Sequence, residues 1–441
     1  MKTTRGFTMI ELLVGMTVGL LVIGVVMATF LSQQRAMQAL DLSREASNAG
    51  RDAMLSLQET IGRAGYGIDP RYAFDFRNYN CPTYSATAPC RDSVNSPDQM
   101  VFVERDPNYY WAGTPSSTVQ GCCTTTTCIA IDSTAACTGH AWQVTAFDTT
   151  HVTINTNNAN DTFLVGQTVL MTCAKGLNPT MGTVNTLAKA SNVGGVNSSL
   201  QLTLTAASTT NPYKNNIAAG HDPCFDSLVG VSMFLVNRYR FFITTLPPIT
   251  PGQTLPEPWL MLDRGLDYNQ NGTTPENTGS GSPDTNDLIP IAHGVEGLQI
   301  AYLYQPSTTG LAAQDNNTNW IVGDNPSGTP EEPTVDPTAV GATTGNTSTG
   351  PTQTTADTDP LRFNTNAANI RGVRVRIVVR SLNRDITQPL SWLGDPATPP
   401  GATTIEDRSD FTAVNLGQFR RYFSSVAVAT PNLRSKDPFI F

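Results

Sequence analysis

Residues 1–31 read MKTTRGFTMIELLVGMTVGLLVIGVVMATFL and include the longest apolar run of the chain. From Leu12 to Leu31 no residue carries a charge. A helix rises about 1.5 Å per residue, so this run spans roughly 30 Å, the thickness of the hydrocarbon core of a bilayer. Lys2 and Arg5 precede the run, so the N-terminus is expected to stay cytoplasmic while the rest is exported. The stretch therefore predicts a single-pass membrane helix.

A secretory signal peptide also begins with a basic segment and an apolar run, but two features argue against one here. The cleavage site of a signal peptide follows the apolar run and contains small residues. In this chain Ser32–Arg35 follow the run and read SQQR. In addition, Glu11 lies about one turn into the apolar segment, where an unpaired carboxylate is costly in lipid. This cost predicts a functional partner for Glu11.

The hexapeptide Gly6–Glu11, GFTMIE, resembles the class III signal of type IV pilins and type II secretion pseudopilins. The resemblance implies that a prepilin peptidase cuts between Gly6 and Phe7 and then N-methylates Phe7. It also implies that Glu11 pairs with the N-terminal amine of a neighbouring subunit. A buried carboxylate and a buried amine are each costly alone, and each offsets part of the other's desolvation.

Small residues recur along the apolar run. Gly15 and Gly19 form a G-x-x-x-G pattern, which lets helices approach closely in lipid or in a filament core. The alternative is the ordinary abundance of glycine in membrane helices. The pattern leaves both interpretations open.

The helix is predicted to continue beyond the membrane, from residue 7 to about residue 62, because no proline occurs before Pro70. Apolar residues recur at steps that mostly suit one helical face: Met37, Leu40, Ala46, Ala49, Ala53, Leu57 and Ile61. The glycine-rich segment Gly62–Gly67 is typical of a helix C-terminus. We expect the second half of this helix to pack against a head domain.

Composition suggests an extracellular, strand-rich head. The 441-residue chain has a net charge of −9, and only 14% of its residues are charged. An acidic chain argues against a nucleic-acid-binding surface, which needs clustered lysine and arginine. Thr, Asn, Ser, Gly and Pro are plentiful, as in exported proteins built of strands and loops.

Eight cysteines lie between residues 81 and 224. An even number in an exported region favours disulfides over zinc, and no C-x-x-C pair is present. The pairing stays open. The disulfide candidates are Cys81, Cys90, Cys122, Cys123, Cys128, Cys137, Cys173 and Cys224.

After Gly67 the sequence becomes a series of short β-like runs separated by turn residues. Weaker runs lie at 100–103, 151–154, 168–171 and 200–204, and stronger ones at 232–244, 298–304, 372–379 and 423–428. Residues 373–377 alternate between apolar and basic, as in a half-exposed antiparallel strand. Two low-complexity stretches, at 268–286 and 314–358, predict mobile surface loops.

The predicted fold class is α+β: a long N-terminal helix packed on an antiparallel sheet, with an inserted disulfide-bearing β region. The predicted parts are a cleaved leader (1–6), a transmembrane or filament-core helix (7–31) and an exported half-helix (32–67). An inserted β region (68–225) and a pilin-type sheet head with low-complexity loops (226–441) follow.

Several head segments, in their order, are similar to the PilW family of minor pilins. The segments are IGRAGYG at 61–67, NRYRF at 237–241, WLMLDR at 259–264, VEGLQIAY at 295–302 and IRGVRVR at 370–376. The resemblance implies a minor pilin that assists type IV pilus assembly or initiation at or near the tip. Implied partners are other minor pilins, the major pilin and a tip adhesin.

Two alternatives to this function stay open. One is a J-type minor pseudopilin of type II secretion. The other is an adhesin or ligand-binding head on a pilin stem. Each is compatible with a chain that waits in the bacterial inner membrane and then reaches the pilus or the cell surface.

The sequence lacks the motifs of common catalytic sites, which favours a protein that is not an enzyme and uses no cofactor. It contains no H-E-x-x-H, no G-x-S-x-G and no phosphate-binding loop. One metal candidate is Asp267, Asn269 and Asn271 in DYNQNG, the opening of an EF-hand-like calcium loop. The twelfth position, however, is Thr278 rather than Glu, and Glu276, Asp284 and Asp287 could contribute only if the loop folds back. A solvated acidic loop is therefore the favoured interpretation over calcium.

Overall fold

The computed structural model describes residues 8–68, 70, 73–74, 97–105, 142–148, 150–156, 162–173, 180–189, 198–204, 231–247, 257–275, 284–304, 321–322, 370–385 and 419–434. Within them a long helix, α1 (Met9–Ile61), precedes the strands, and a short helix, α2 (Pro431–Arg434), follows the last one. The strands are β1 (Met100–Arg105), β2 (Trp142–Phe147), β3 (His151–Thr156), β4 (Thr162–Phe163), β5 (Thr168–Cys173), β6 (Thr180–Thr183), β7 (Ala188–Lys189), β8 (Ser198–Thr203), β9 (Val231–Leu246), β10 (Glu257–Asp263), β11 (Ile289–His293), β12 (Val295–Tyr304), β13 (Ile321–Val322), β14 (Ile370–Arg380) and β15 (Arg421–Ala429).

Helix α1 has 53 residues and is about 80 Å long. Its first half is exposed, and burial begins at Ala46. From there one face is buried at steps of one, three or four residues, as expected for an amphipathic helix: Ala46, Ala49, Gly50, Ala53, Met54, Leu57 and Ile61. Only the C-terminal part of α1 therefore belongs to the core of the head.

The largest sheet among the described strands is built around β9, and all its pairings are antiparallel. One edge of β9 pairs with β10 and β5, and the other edge pairs with β1 and β2. Strand β11 extends the sheet beyond β10, while β3 and β8 extend it beyond β2. The 16 residues of β9 thus connect two parts of the head.

A second sheet, with the order β13-β12-β14-β15 among the described strands, supports the helix. Helix α1 contacts β14 and β15 of this sheet and β11 of the larger one. The approach to β15 is close, because a Cβ atom on Gly50 would lie only 2.6 Å from Cδ1 of Tyr422. A small residue on the helix therefore makes room for a large ring on the sheet.

Two clusters of buried apolar side chains fill the head. The first, the helix-side core, joins α1 to β1, β10, β12, β14 and the end of β9, including Tyr239 and Phe241. The second, the distal core, joins β2, β3, β5 and β8 to the start of β9, including Met233 and Leu235. Strand β9 contributes to both cores and is the covalent link between them.

The C-terminal end of α1 is held by strand β1 and helix α2. The N–H of Gly65 donates to the carbonyl of Val103 at 2.9 Å. The side-chain amide of Asn432 donates to the carbonyls of Gly62 and Ala64 at 3.2 and 3.4 Å. The two bonds from Asn432 satisfy carbonyls just after the last turn of the helix, which otherwise would lack partners. The position of the long helix relative to the head is fixed here.

The Gly65→Ala substitution is expected to destabilise the protein by roughly 2–4 kcal/mol. Gly65 has a φ of +76°, and its missing Cβ would collide with Leu433 and lie 3.2 Å from the Cβ of Ala73. The free energy of unfolding in denaturant would measure the loss. Gly272→Ala is the matched control, because Gly272 has a φ of +85° but open space around it. Equal losses for the two variants would show that crowding at Gly65 is unimportant.

The coarse fold prediction is confirmed: a long N-terminal helix precedes an antiparallel, strand-rich body of the α+β class. Each of the eight predicted β-runs corresponds to a strand. Within the predicted insertion, however, β1 belongs to the helix-side core. The domain boundaries at 67 and 225 stay predictions.

Two sequence expectations differ from the structure. Met37 and Leu40, assigned to the buried helix face, are 67% and 57% exposed, because the head begins to cover α1 only at Ala46. The stretch at 268–286 was expected to be a mobile surface loop; residues 268–272 are exposed, as that prediction requires, but Pro275 and Asp284 are buried. Residues 314–358 lie outside the described residues except for β13.

Candidate functional site

The first half of α1 is an apolar rod that no described residue covers. The large apolar side chains between Leu12 and Leu31 are each 52–70% exposed. Among the described residues, α1 is the helix long and apolar enough to cross a membrane, with a mean hydropathy of 2.4 over its most apolar 18 residues. Soluble proteins rarely expose an apolar surface of this extent without a partner. Lipid or other apolar helices are the partners that fit.

The polar groups inside this apolar half are satisfied locally. Thr17 Oγ1 donates to the carbonyl of Val14, and Thr29 Oγ1 donates to the carbonyl of Val25, both at 2.9 Å. A hydroxyl that donates to a carbonyl of its own helix adds little to the free-energy cost of inserting that helix into a bilayer. The threonines are therefore compatible with a membrane-embedded helix.

The N-terminus of α1 is closed by a capping box between Thr8 and Glu11. The backbone N–H of Glu11 donates to Thr8 Oγ1 at 3.4 Å, and Glu11 Oε2 accepts from the backbone N–H of Thr8 at 3.0 Å. The Thr8 hydroxyl also donates to Glu11 Oε2 at 3.0 Å. Glu11 was predicted from the sequence, whereas Thr8 was not, although the T-x-x-E spacing is the signal of a capping box. The carboxylate is thus held at the N-terminal end of the helix.

The other predicted assembly residues lie on the same exposed segment or just before it. Gly15 and Gly19 have no other atom within 4 Å of the position a Cβ would take, so their side of the helix is open to a partner. Gly6 and Phe7, the predicted cleavage site, lie outside the described residues. Their roles stay predictions.

The disulfide candidates are not tested by the structure. Cys173 ends strand β5, and the other seven cysteines lie outside the described residues. Disulfide formation and its pairing therefore stay predictions.

The predicted calcium loop is folded around acidic residues that come from both of its ends. Backbone N–H groups of Asn271 and Gly272 donate to the two oxygens of Asp267, at 3.1 and 2.7 Å. The amide nitrogens of Asn269 and Asn271 both donate to Asp284 Oδ2, the first at 2.7 Å. The structure thus brings Asp267, Asn269 and Asn271 together and adds Asp284, which follows them in the sequence.

Asp287 is the third carboxylate at this loop. Its Oδ1 accepts from the backbone N–H groups of Tyr268 and Asn269, at 3.1 and 3.2 Å. Burial raises the pKa of Asp287, and the negative charges of Asp284 and Asp267 raise it further. The bond from the Asn269 amide lowers the pKa of Asp284. The loop therefore holds three acidic side chains close together.

A buried ion pair fixes the strand from which this loop leaves. Asp263, at the end of β10, accepts from Arg240 Nε at 2.9 Å and lies 3.4 Å from Arg238 Nη1. It also accepts from the N–H of Gly265, which turns the chain into the loop. In the described part of the chain, no group of three or more His, Cys, Asp or Glu side chains could hold a metal ion by itself, so a cation at this loop would also need the asparagine oxygens.

Comparison with known proteins bears on the N-terminus. The family model described as "Prokaryotic N-terminal methylation motif" matches residues 1–27. No curated protein and no solved structure matches the chain. The matched segment contains Gly6, Phe7 and Glu11 and the first part of the exposed apolar helix. The motif and this helix together indicate a prepilin of the type IV pilin or pseudopilin kind, processed by prepilin peptidase and assembled with other pilins.

Proposed function

We propose that this chain is a minor pilin of a type IV pilus, similar to the PilW family, that acts in pilus assembly or initiation at or near the tip. The observation that carries the proposal is the methylation motif on a helix whose apolar half is not covered by any described residue. A structural subunit of this kind needs no catalytic centre. Its partners are other minor pilins, the major pilin and a tip adhesin.

The apolar half of α1 is buried first in the lipid of the inner membrane and later among the helices of other subunits. Before assembly, Leu12–Leu31 is the single inner-membrane anchor, with the leader on the cytoplasmic side. After processing, the same apolar side chains pack among the helices of other subunits, and the open side at Gly15 and Gly19 allows close helix approach. Apolar surface is thus transferred from lipid to protein, and little of it meets water.

The head supports a rare or terminal position. Its described part contains the helix-side core and the distal core, and of these two the helix-side core includes residues of α1. Repeating so bulky a head at every position of a thin filament would crowd its surface. A single copy at an end avoids that crowding.

Labelling of purified pili tests this position. An antibody against the head, detected by immunogold electron microscopy, is expected to mark one end of each pilus. Antibody against the major pilin is the control and should mark the whole shaft. Even labelling along the shaft by the head antibody would contradict the proposal.

A J-type minor pseudopilin of type II secretion is the second candidate, because the methylation motif is shared by pilins and pseudopilins. Deleting the gene separates the two. Loss of surface pili with normal protein secretion supports the pilus, whereas loss of secretion with normal pili supports the pseudopilus.

A further inference from the structure

The acidic loop between β10 and β11 has the ligand chemistry of a cation site. Asp267, Asn269 and Asn271 supply side-chain oxygens at alternate positions, and Gly272 follows with a φ of +85°. Alternating oxygen ligands followed by a glycine turn form the first half of an EF-hand-like calcium loop. The twelfth position is Thr278 rather than Glu, and two carboxylates from farther along the chain, Asp284 and Asp287, bond to the loop.

The burial of the Asp287 carboxylate is evidence for a bound ligand that does not depend on the loop sequence. This residue is only 3% exposed, and its Oδ2 is buried with no hydrogen-bond partner among the described residues. Its other oxygen accepts from the loop backbone at Tyr268 and Asn269, so the carboxylate faces the loop. A buried oxygen of a carboxylate without a donor is costly, and a bound cation removes that cost.

The charges and the remaining ligands fit a divalent cation. Asp267, Asp284 and Asp287 are each at most 8% exposed, and none has an ion-pair partner among the described residues. The amide nitrogens of Asn269 and Asn271 now point at Asp284 Oδ2. Half a turn of each amide presents an oxygen instead, in exchange for the bonds that the two amide oxygens now accept from the N–H groups of Asn271 and Thr273. The three carboxylates alone do not form a complete set of ligands for a cation, and the oxygens of Asn269 and Asn271 would supply the others.

We propose that Asp267, Asn269, Asn271, Asp284 and Asp287 form a Ca²⁺ site in the head. Ca²⁺ accepts six to eight oxygens in irregular geometry, whereas Mg²⁺ demands a near-ideal octahedron, so this irregular loop with mixed ligands favours calcium. The site is separate from the helix that assembles the subunit and does not depend on the function proposed above.

Bound calcium would stiffen the junction between the two cores. The N–H of Asp267 donates to the carbonyl of Val165 at 3.0 Å, which joins the loop to the turn between β4 and β5. Gly166 in that turn packs directly on the backbone of Gly265. Closing the loop around a cation would therefore stabilise its contacts with the β4–β5 turn, which borders the distal core.

The test uses the full processed chain in detergent micelles and measures its Tm in 5 mM CaCl₂ (about ten times a millimolar-range Kd) and in EGTA. Calcium is expected to raise the Tm by roughly 2–4 °C. Asp287→Asn should abolish the shift, because it removes the buried carboxylate charge at nearly constant shape. Asp148→Asn, a change at another aspartate whose Oδ1 accepts from two backbone N–H groups, should keep the shift.

A Tm that is equal in calcium and EGTA overturns the proposal, as does a full shift in Asp287→Asn or an equal shift with Mg²⁺. If Asp287→Asn does not fold, Asn271→Ala replaces it, because this residue is exposed in the loop. Terbium luminescence sensitised by the neighbouring Tyr268 then measures affinity. Asn271→Ala is expected to weaken terbium binding at least about tenfold, and unchanged affinity overturns the site.

Discussion

The Gly6→Val variant is expected to keep its six-residue leader, MKTTRG, while the wild type loses it. The prepilin peptidase must admit the peptide bond between Gly6 and Phe7, and a β-branched side chain directly before that bond obstructs access and stiffens the backbone. Intact-mass measurement of the protein purified from membranes gives the answer directly. We expect nearly complete loss of processing, together with loss of N-methylation at Phe7.

The control for this variant is Gly15→Val, which makes the same change inside the apolar run. Helix α1 begins at Met9, so Gly15 lies two turns within it and away from the cleavage site. This control should be cleaved normally. A wild-type chain that also keeps its leader would contradict the prepilin assignment. Cleavage of the Gly6→Val variant after residue 6 would show that the peptidase does not require glycine at this position.

Strands with strong local patterns were predictable from the sequence. In β14 the apolar and basic residues at 373–377 alternate, and the apolar ones are buried while Arg374 and Arg376 are only partly so. Strand β11 was missed because its five residues contain Pro290, which usually argues against a strand. It lies at the end of the β9-centred sheet, where a proline need not break a hydrogen-bond ladder.

Features set by contacts between distant segments were not predictable. The helical pattern runs unbroken through Met37 and Leu40, and nothing local marks Ala46 as the point where the head begins. The acidic loop is a second case. Its composition predicts a solvated loop, and only the fold brings Asp284 and Asp287 back against Asp267.

The Glu11→Gln variant is expected to be processed normally but to be almost absent from assembled pili. The resemblance to type IV pilins implies that Glu11 pairs with the charged amine of Phe7 on a neighbouring subunit. Uncharged Gln could not form this pair, and the amine would be left buried and unpaired. Breaking one partner of a buried ion pair costs about 3–5 kcal/mol, which corresponds to a loss of roughly a hundredfold or more in incorporation. Quantitative immunoblots of sheared pili against the membrane fraction measure that ratio.

The capping box makes this substitution informative. Gln at the third helical position also supports a capping box, so Glu11→Gln removes the charge but keeps the helix start. Thr8→Ala does the reverse, because it removes the hydroxyl that accepts from the N–H of Glu11 and leaves the carboxylate free to pair. Its cost is a helix cap, about 1 kcal/mol, and incorporation should fall less than about tenfold. If both variants lose incorporation equally, Glu11 acts through the helix cap, and the proposed pairing with a neighbouring amine is wrong.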